Sequence, residues 1–338
     1  MKNENALAIG VSSLEFFNIL LTYYPKGINE TFDIYLFVDD KRVSVTEVKN
    51  IIKEHNIPVF NNATVNTVVN LYDYYAEKHG YEGKAKQMMY NQGCVFKILM
   101  PIYLQEHYGV KRTYTSDDDI FIFNDLSYMF DEYKEFGFKK ENLFNLRNSD
   151  KYEVLAAFNE IFETDFTLEE VNALSVNAGN VIYGYDPDME KYVKRWMNHP
   201  MVHHLFYDFD GYTSWTIEQR FQHFNLHRLK REGRTVDILK SKDLRLMQNL
   251  DKGMKAGKPD EMYLKQVTPS LIHYAIGTKK PLWLRDFLPG ISWKFNGFQY
   301  QPKYELKDIL YNKEWTPPKW QEVQKKIKNG AIKKTSVF

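Results

Sequence analysis

The chain has 338 residues, 45 Lys plus Arg against 44 Asp plus Glu, and a formal net charge of +1. That length buries a full core and suits one large α/β domain or one domain with an appendage, and near-neutrality argues against a generic polyanion binder. A single cysteine, Cys94, excludes an intrachain disulfide framework and fits a reducing compartment.

Aromatics make up 16%, with 24 Tyr and 23 Phe, which suits broad stacking surfaces for sugars or bases, although core packing uses most such residues. No apolar run approaches the roughly 20 residues needed to span a bilayer. The N-terminus MKNENALAIG lacks a signal-peptide core. These features lead to the expectation of a cytoplasmic protein with no membrane span.

In chain order, Ala6 to Val11 has a buried-strand pattern, and Ser12-x-x-Glu15 matches a capping box that opens a helix through Tyr24, stopped by Pro25 and Gly27. Phe32 to Val38 is a second strand ending in Asp39-Asp40, and Ser44-x-x-Glu47 starts a helix to His55. Pro58 to Phe60 reads as a third short strand before a helix over Val65 to Lys78. Strands alternating with helices predict a mostly parallel sheet covered on both faces, with the first hundred residues as a nucleotide-binding half.

Gly93 to His107 carries a helical apolar stripe, Gly109 breaks it, and Lys111 to Phe123 reads as a strand. Asp125 to about Leu174 is helical and polar, a segment expected to cover the sheet or shape an acceptor pocket. Val176 to Tyr183 returns to strand character with Gly179 inside it, which marks a close approach of a ligand or another backbone. Helices follow near Pro187 to Asn198 and Thr216 to Leu229, then a strand over Thr235 to Leu239.

Within this pattern Asp117, Asp118 and Asp119 run straight into Ile120-Phe121-Ile122-Phe123. Adjacent carboxylates repel one another and gain nothing from burial, so at the edge of an apolar strand they call for a compensating cation, most simply a divalent metal. The plainer reading is a solvated acidic loop. What favours the metal is the position, a bend at a strand end after a helix, where an α/β enzyme places its ligand. His199, His203 and His204 lack the cysteine or helical partners of a zinc site. Basic excess between Arg228 and Lys258, and again from Lys319 to Lys334, reads first as solvated helix faces and second as a nucleic-acid or membrane-surface patch.

Four segments in order resemble the GT-A glycosyltransferases, and most closely the family 8 type of retaining nucleotide-sugar transferase. They are Lys97-Ile98-Leu99-Met100-Pro101 leading to Asp117-Asp118-Asp119; Asn177-Ala178-Gly179; Glu218-Gln219 with Asn225 beyond; and His273 followed by Gly277, Lys280, Pro281 and Trp283. The resemblance implies a GT-A (Rossmann-like) α/β fold with a mostly parallel central sheet flanked by helices, a helical insertion and a C-terminal extension. It places the catalytic domain over residues 1–290, divided into a nucleotide-binding half at 1–123 and a donor-sugar and acceptor half at 124–290, with the extension at 291–338.

It further implies Mn²⁺ or Mg²⁺ held by Asp117, Asp119 and His273, since hard cations take oxygen ligands and an added nitrogen favours Mn²⁺. Lys97, Asp118, Asn177, Ala178, Gly179, Gly277 and Lys280 would bind the donor, most simply a UDP-sugar. Gln219 would lie near the anomeric carbon with Glu218 beside it, an acceptor attack on the face the phosphate leaves being favoured over Glu218 as a covalent nucleophile. The partners implied are a nucleotide-sugar donor and a glycan or other hydroxyl acceptor, with a hydroxylated base in viral DNA as the alternative acceptor. Competing readings of another class are a metal-dependent phosphohydrolase and an inactive sugar-binding module.

Overall fold

The computed structural model describes residues 3–24, 31–91, 95–122, 125–140, 151–174, 176–207 and 217–240, together with the strand backbone of 244–246, 271–273, 293–295 and 298–300. The chain forms two compact units, one of residues 1–22, 26–118 and 125–240, the other of residues 23–25, 119–124 and 241–338.

The first unit begins with β1 (Asn5–Val11), α1 (Leu14–Tyr23), β2 (Asp33–Val38), α2 (Val45–His55), the short α3 (Pro58–Asn61), β3 (Thr64–Thr67) and α4 (Val68–His79). Then come α5 (Gly83–Asn91), α6 (Phe96–Tyr108) and β4 (Arg112–Asp117). After β5 (Ile120–Ile122), which belongs to the second unit, follow α7 (Ser127–Glu132), β6 (Phe136–Lys140), α8 (Lys151–Phe162), α9 (Leu168–Ala173), β7 (Val176–Tyr183), α10 (Met189–Asn198), α11 (Pro200–Tyr207), α12 (Ile217–Arg231) and β8 (Val236–Ile238).

Seven strands make one sheet in the order β3-β2-β1-β4-β7-β6-β8. The ladders from β3 to β4 and that between β6 and β8 are parallel, and β7 runs antiparallel to both neighbours. This mixed, mostly parallel sheet flanked by helices is the α/β class expected from the sequence. All but the first residue of β1 and β2 are buried, as a parallel strand covered on both faces requires. No described helix is long and apolar enough to cross a membrane.

Several elements differ from the sequence reading. Pro58 to Phe60 is helical: proline at the first helical position lacks an N–H that would be unsatisfied there anyway, and the strand falls six residues later, over Thr64–Thr67. The next helix therefore starts at Val68, where the Thr67 hydroxyl accepts from the Asn70 N–H at 3.1 Å. Ser13, one residue beyond the expected Ser12, caps α1 by accepting from the Phe16 N–H at 3.3 Å. Ser44 sits at the N-cap of α2 without a side-chain capping bond. The polar stretch after Asp125 contains a strand, β6, whose Phe136 and Phe138 are sealed in the core. Gly109 ends α6 as expected, in the left-handed conformation at φ 68°.

The second unit contains a three-stranded sheet, β5 against β10 (Leu271–His273) and β10 against β9 (Leu244–Leu246). A separate hairpin joins β11 (Trp293–Phe295) and β12 (Phe298–Tyr300).

Candidate functional site

The parallel strands β1, β2, β3 and β4 end on one edge of the sheet, and the crevice at such carboxyl ends is where open α/β sheets bind ligands. Gly10 of β1 pairs with Asp117 of β4. A Cβ at Gly10 would stand 2.2 and 2.5 Å from two ring carbons of Phe96, the first residue of α6, so only glycine admits this close crossing of helix over strand. Phe96 anchored on Gly10 sets the next residue, Lys97, against Asp117. Its ammonium lies 2.8 Å from each carboxylate oxygen, and the side chains keep 12% and 22% exposure.

The acidic run that reads as one strand is instead broken between β4 and β5, and its three carboxylates have separate surroundings. Oδ2 of Asp118 accepts from the Ser12 N–H at 2.6 Å and the Ser13 N–H at 2.7 Å, with the Ser12 hydroxyl 3.4 Å from both oxygens. A carboxylate there satisfies backbone donors at the start of α1 and meets the positive end of its dipole. Asp118 thus ties β4 to the β1–α1 junction from 106 residues away. Asp119, also buried, belongs to the second unit.

Within that second unit β10 runs antiparallel to β5 and pairs His273 with Ile120, the residue that follows Asp119. The register thus brings the backbone of a distant histidine next to Ile120 within the second unit. The side chain of His273, with Gly277, Lys280, Pro281 and Trp283, lies outside the described residues.

The Asn177-Ala178-Gly179 segment lies in β7. Ser116 pairs with Asn180, so the triplet sits toward the end of β4 that carries Asp117. On the opposite side the ladder to β6 jumps from Phe138 against Val181 to Lys139 against Asn177. The extra residues include Gly179, and this irregularity is the kind of bulge an isolated strand glycine signals. Behind it the buried Asn180 side-chain oxygen accepts from the Tyr114 hydroxyl at 2.8 Å and the Ser116 hydroxyl at 2.9 Å.

Glu218 and Gln219 lie in the first turn of α12, which packs on β7, with Glu218 buried and Gln219 half-buried. Asn225, two turns on, is committed elsewhere: its side-chain oxygen accepts from Arg228 Nε at 3.0 Å and from another guanidinium nitrogen at 2.8 Å. Arg228 is itself paired with buried Asp186. His203 Nε2 lies 2.7 Å from the Met197 carbonyl oxygen and His199 Nε2 lies 3.3 Å from Glu160, so these two histidines have separate neighbours. Among the described residues no three His, Cys, Asp or Glu side chains converge as a metal cage.

Sequence reasoning missed the Gly10–Phe96 crossing and the contacts of Ser12 and Ser13 with Asp118, which join residues 86 to 106 positions apart and leave no local signal. It also missed Tyr183, whose buried hydroxyl makes no hydrogen bond. Burial pushes that phenol well up, Asp186 adds to the shift, and the nearby charge of Lys97 opposes it.

No protein-family model matches the chain, and no curated protein matches it. Among solved structures it is similar to mouse xyloside xylosyltransferase 1, with TM-score 0.46 and 11% identity over 82% of this chain and 99% of that one. It is similar also to the galactosyltransferase LgtC in complex with donor and acceptor sugar analogues, with TM-score 0.42 and 13% identity over 94% and 99%. A third is the bifunctional glycosyltransferase WbbM, with TM-score 0.47 and 12% identity, where 83% of this chain matches 47% of that one. At those scores and identities the likeness assigns neither a family nor a reaction to this chain.

Proposed function

We propose that this chain is a metal-dependent glycosyltransferase of the GT-A type that moves a sugar from a nucleotide diphosphate, a UDP-sugar, to a hydroxyl acceptor with retention of configuration. The observation that carries the reading is the β5–β10 register, which pairs His273 with Ile120 directly after the acidic turn. A histidine more than 150 positions downstream returns to the residues that the resemblance joins to it.

The donor set suits a dication. Asp117 already holds one cation, the Lys97 ammonium, at 2.8 Å, and carboxylate oxygens are the ligands hard cations take. Asp117, Asp119 and His273 would hold Mn²⁺ or Mg²⁺. Bound there, the ion would supply Lewis-acid neutralisation of the departing diphosphate.

The chain's own groups do the rest. Asp118, held by Ser12 and Ser13, fixes the turn from which Asp117 and Asp119 project. Lys97 and Lys280 offer positive charge to the phosphates, and preorganised charge of this kind stabilises a leaving group. The Asn177-Ala178-Gly179 bulge lets backbone approach the sugar. Gln219 faces the anomeric centre, where its amide both donates to and accepts from hydroxyls, and Glu218 accepts from a sugar hydroxyl. The acceptor oxygen forms its bond to the anomeric carbon as the bond from that carbon to the phosphate oxygen breaks on the same face. The acceptor's proton leaves with that phosphate oxygen. The catalytic domain in this reading spans 1–290, with 291–338 an extension, and the enzyme works in the cytoplasm.

Release of UDP from a panel of UDP-sugars with Mn²⁺ tests the proposal. Asp119→Asn is expected to lower turnover by about 10²-fold or more, the size of loss seen when one transition-state charge contact is removed, with an unchanged circular dichroism spectrum. Near-normal turnover in that variant would remove the metal assignment. No turnover and no donor binding by the unaltered chain would remove the transferase.

A further inference from the structure

We infer that His227, with His223 beside it on α12, is a positioning residue: the two imidazoles hold the C-terminal end of α9 and so set where the Asn177-Ala178-Gly179 bulge begins. The inference rests on the transferase reading and adds to it the side chains on which the sugar side of that site depends.

The geometry starts from the ends of a short helix. α9 has six residues, and the last four carbonyls of any helix have no partner within it. Its N-terminal end is closed locally by Thr167 and Glu170 in a reciprocal capping box. Its C-terminal end leads at Leu174 into extended backbone, φ −145° and ψ 119°, and is met from another helix. His227 Nε2 donates to the Leu174 carbonyl oxygen at 3.1 Å, and His223 hydrogen-bonds to the Val171 backbone.

Residues four apart share one face of a helix, and the two imidazole centres on α12 lie 5.2 Å apart. Arg231, one turn further, continues that face. It donates to the two Glu170 carboxylate oxygens at 2.8 and 3.1 Å, pairs with Asp165 and lies 4.4 Å from the centre of the Phe166 ring. α12 therefore grips α9 at both ends. Burial is the main force that lowers both histidines from their ordinary value, so near pH 7 each ring is neutral and has one N–H to give.

What the grip positions comes next in the chain. Asn177 lies three residues beyond Leu174. On the far side of the bulge the Asn180 side chain accepts from the Tyr114 and Ser116 hydroxyls. The bulge thus spans two anchored points, and because the ladder to β6 slips along it, those ends govern its place more than they would in a regular strand. The same helix, α12, carries Glu218 and Gln219 in its first turn and packs on β7. One element therefore presents two of the sugar-side residues and anchors the approach to the other three. In the transferase reading this bulge meets the sugar and not the nucleotide, so loosening it should be felt by a sugar nucleotide and not by UDP.

The test compares UDP with UDP-glucose, UDP-galactose and UDP-xylose, each titrated calorimetrically into the full chain with Mn²⁺. His227→Leu should weaken the sugar nucleotide that the unaltered chain binds best on the order of tenfold, the size of one lost hydrogen bond, and leave UDP within about twofold. His227→Gln, whose amide can place an N–H where the imidazole Nε2 stood, should recover most of the lost affinity. Hydrogen exchange of the unliganded chain gives a second readout: amides of residues 176–180 should exchange on the order of tenfold faster in His227→Leu while those of β1 and β2 keep their rates.

If His227→Leu weakens UDP and the sugar nucleotide equally, or weakens neither, the role of His227 is overturned while binding by the unaltered chain leaves the transferase reading in place. Failure of His227→Gln to recover affinity would overturn it as well, since the hydrogen bond would not be its basis. If the unaltered chain binds none of these nucleotides, the transferase reading falls and this inference falls with it.

Discussion

Two cation–carboxylate pairs in the first unit, Lys97–Asp117 and Arg228–Asp186, differ in every respect that matters to a ligand. Lys97 and Asp117 keep 12% and 22% of their side-chain surface exposed, whereas Arg228 and Asp186 keep 2% and 4%. Arg228 also donates to Asn225 and to both oxygens of Glu232, and its guanidinium lies 4.7 Å from the centre of the Tyr192 ring. A charge taken that far out of water is tolerated only when nearly all its donors are met, and meeting them fixes one geometry. The Lys97 ammonium sits on a flexible stem beside solvent. The contrast separates charge that holds the fold from charge able to change partners, and it assigns Asn225, the residue beyond the Glu218-Gln219 pair in the resemblance, to the first group.

The largest expected effect tests the fixed pair. Arg228→Leu leaves the Asp186 carboxylate buried without its cation and should cost about 3–5 kcal/mol of stability, read from urea unfolding. A loss under about 1 kcal/mol would erase the contrast. Next comes the backbone that positions the exchangeable pair. Gly10→Ala puts a Cβ into the Phe96 ring and should cost about 1–3 kcal/mol, as overpacking of a filled core does. Adding Phe96→Leu should restore part of that loss in a double-mutant cycle, and no restoration would mean the clash lies elsewhere.

The same contrast explains what could be read from the chain before its structure. Strands β1, β2 and β4, the glycine stop at Gly109 and the alternation that makes a mostly parallel sheet follow from local runs of apolar residues, which period and turn chemistry reveal. The swap at Pro58 to Thr67 was hidden because the two apolar residues after the proline, Val59 and Phe60, suit either a short strand or a helical turn. The acidic run showed that a cation is needed but not which one: Lys97 lies 20 positions upstream in a different element. Asp118's role was invisible for the same reason, since its partners at Ser12 and Ser13 meet it only through the β1–β4 pairing.

A smaller effect concerns the interior of α12. His223 is buried, and burial first, then the neighbouring His227, holds its imidazole down to about 3. The unfolded chain takes up that proton below 6.5 while the folded chain does not, so stability is greatest above 6.5 and falls as the pH drops toward 3. Between pH 6.5 and 5 the slope should approach about 1.4 kcal/mol per unit for one proton. Burial lowers His227 too, which adds to the slope with the same sign. His223→Leu should flatten the pH dependence of the urea midpoint over this window. An unchanged slope would show that the imidazole is not the group being titrated.

The smallest expected change in stability belongs to the Lys97–Asp117 pair. Lys97 and Asp117 remain in reach of water, so water can take over much of the solvation of Asp117 when the ammonium is removed. Lys97→Met should therefore shift unfolding by only about 1 kcal/mol, as partly exposed pairs do. Methionine keeps most of the apolar stem, so packing is largely preserved. The result has meaning beside Arg228→Leu in the same titration: a several-fold smaller loss at Lys97 identifies its charge as exchangeable. A loss as large as that of Arg228→Leu would mean that Lys97 is held as firmly as the arginine, that α6 depends on it, and that a metal ion would have to bind beside it.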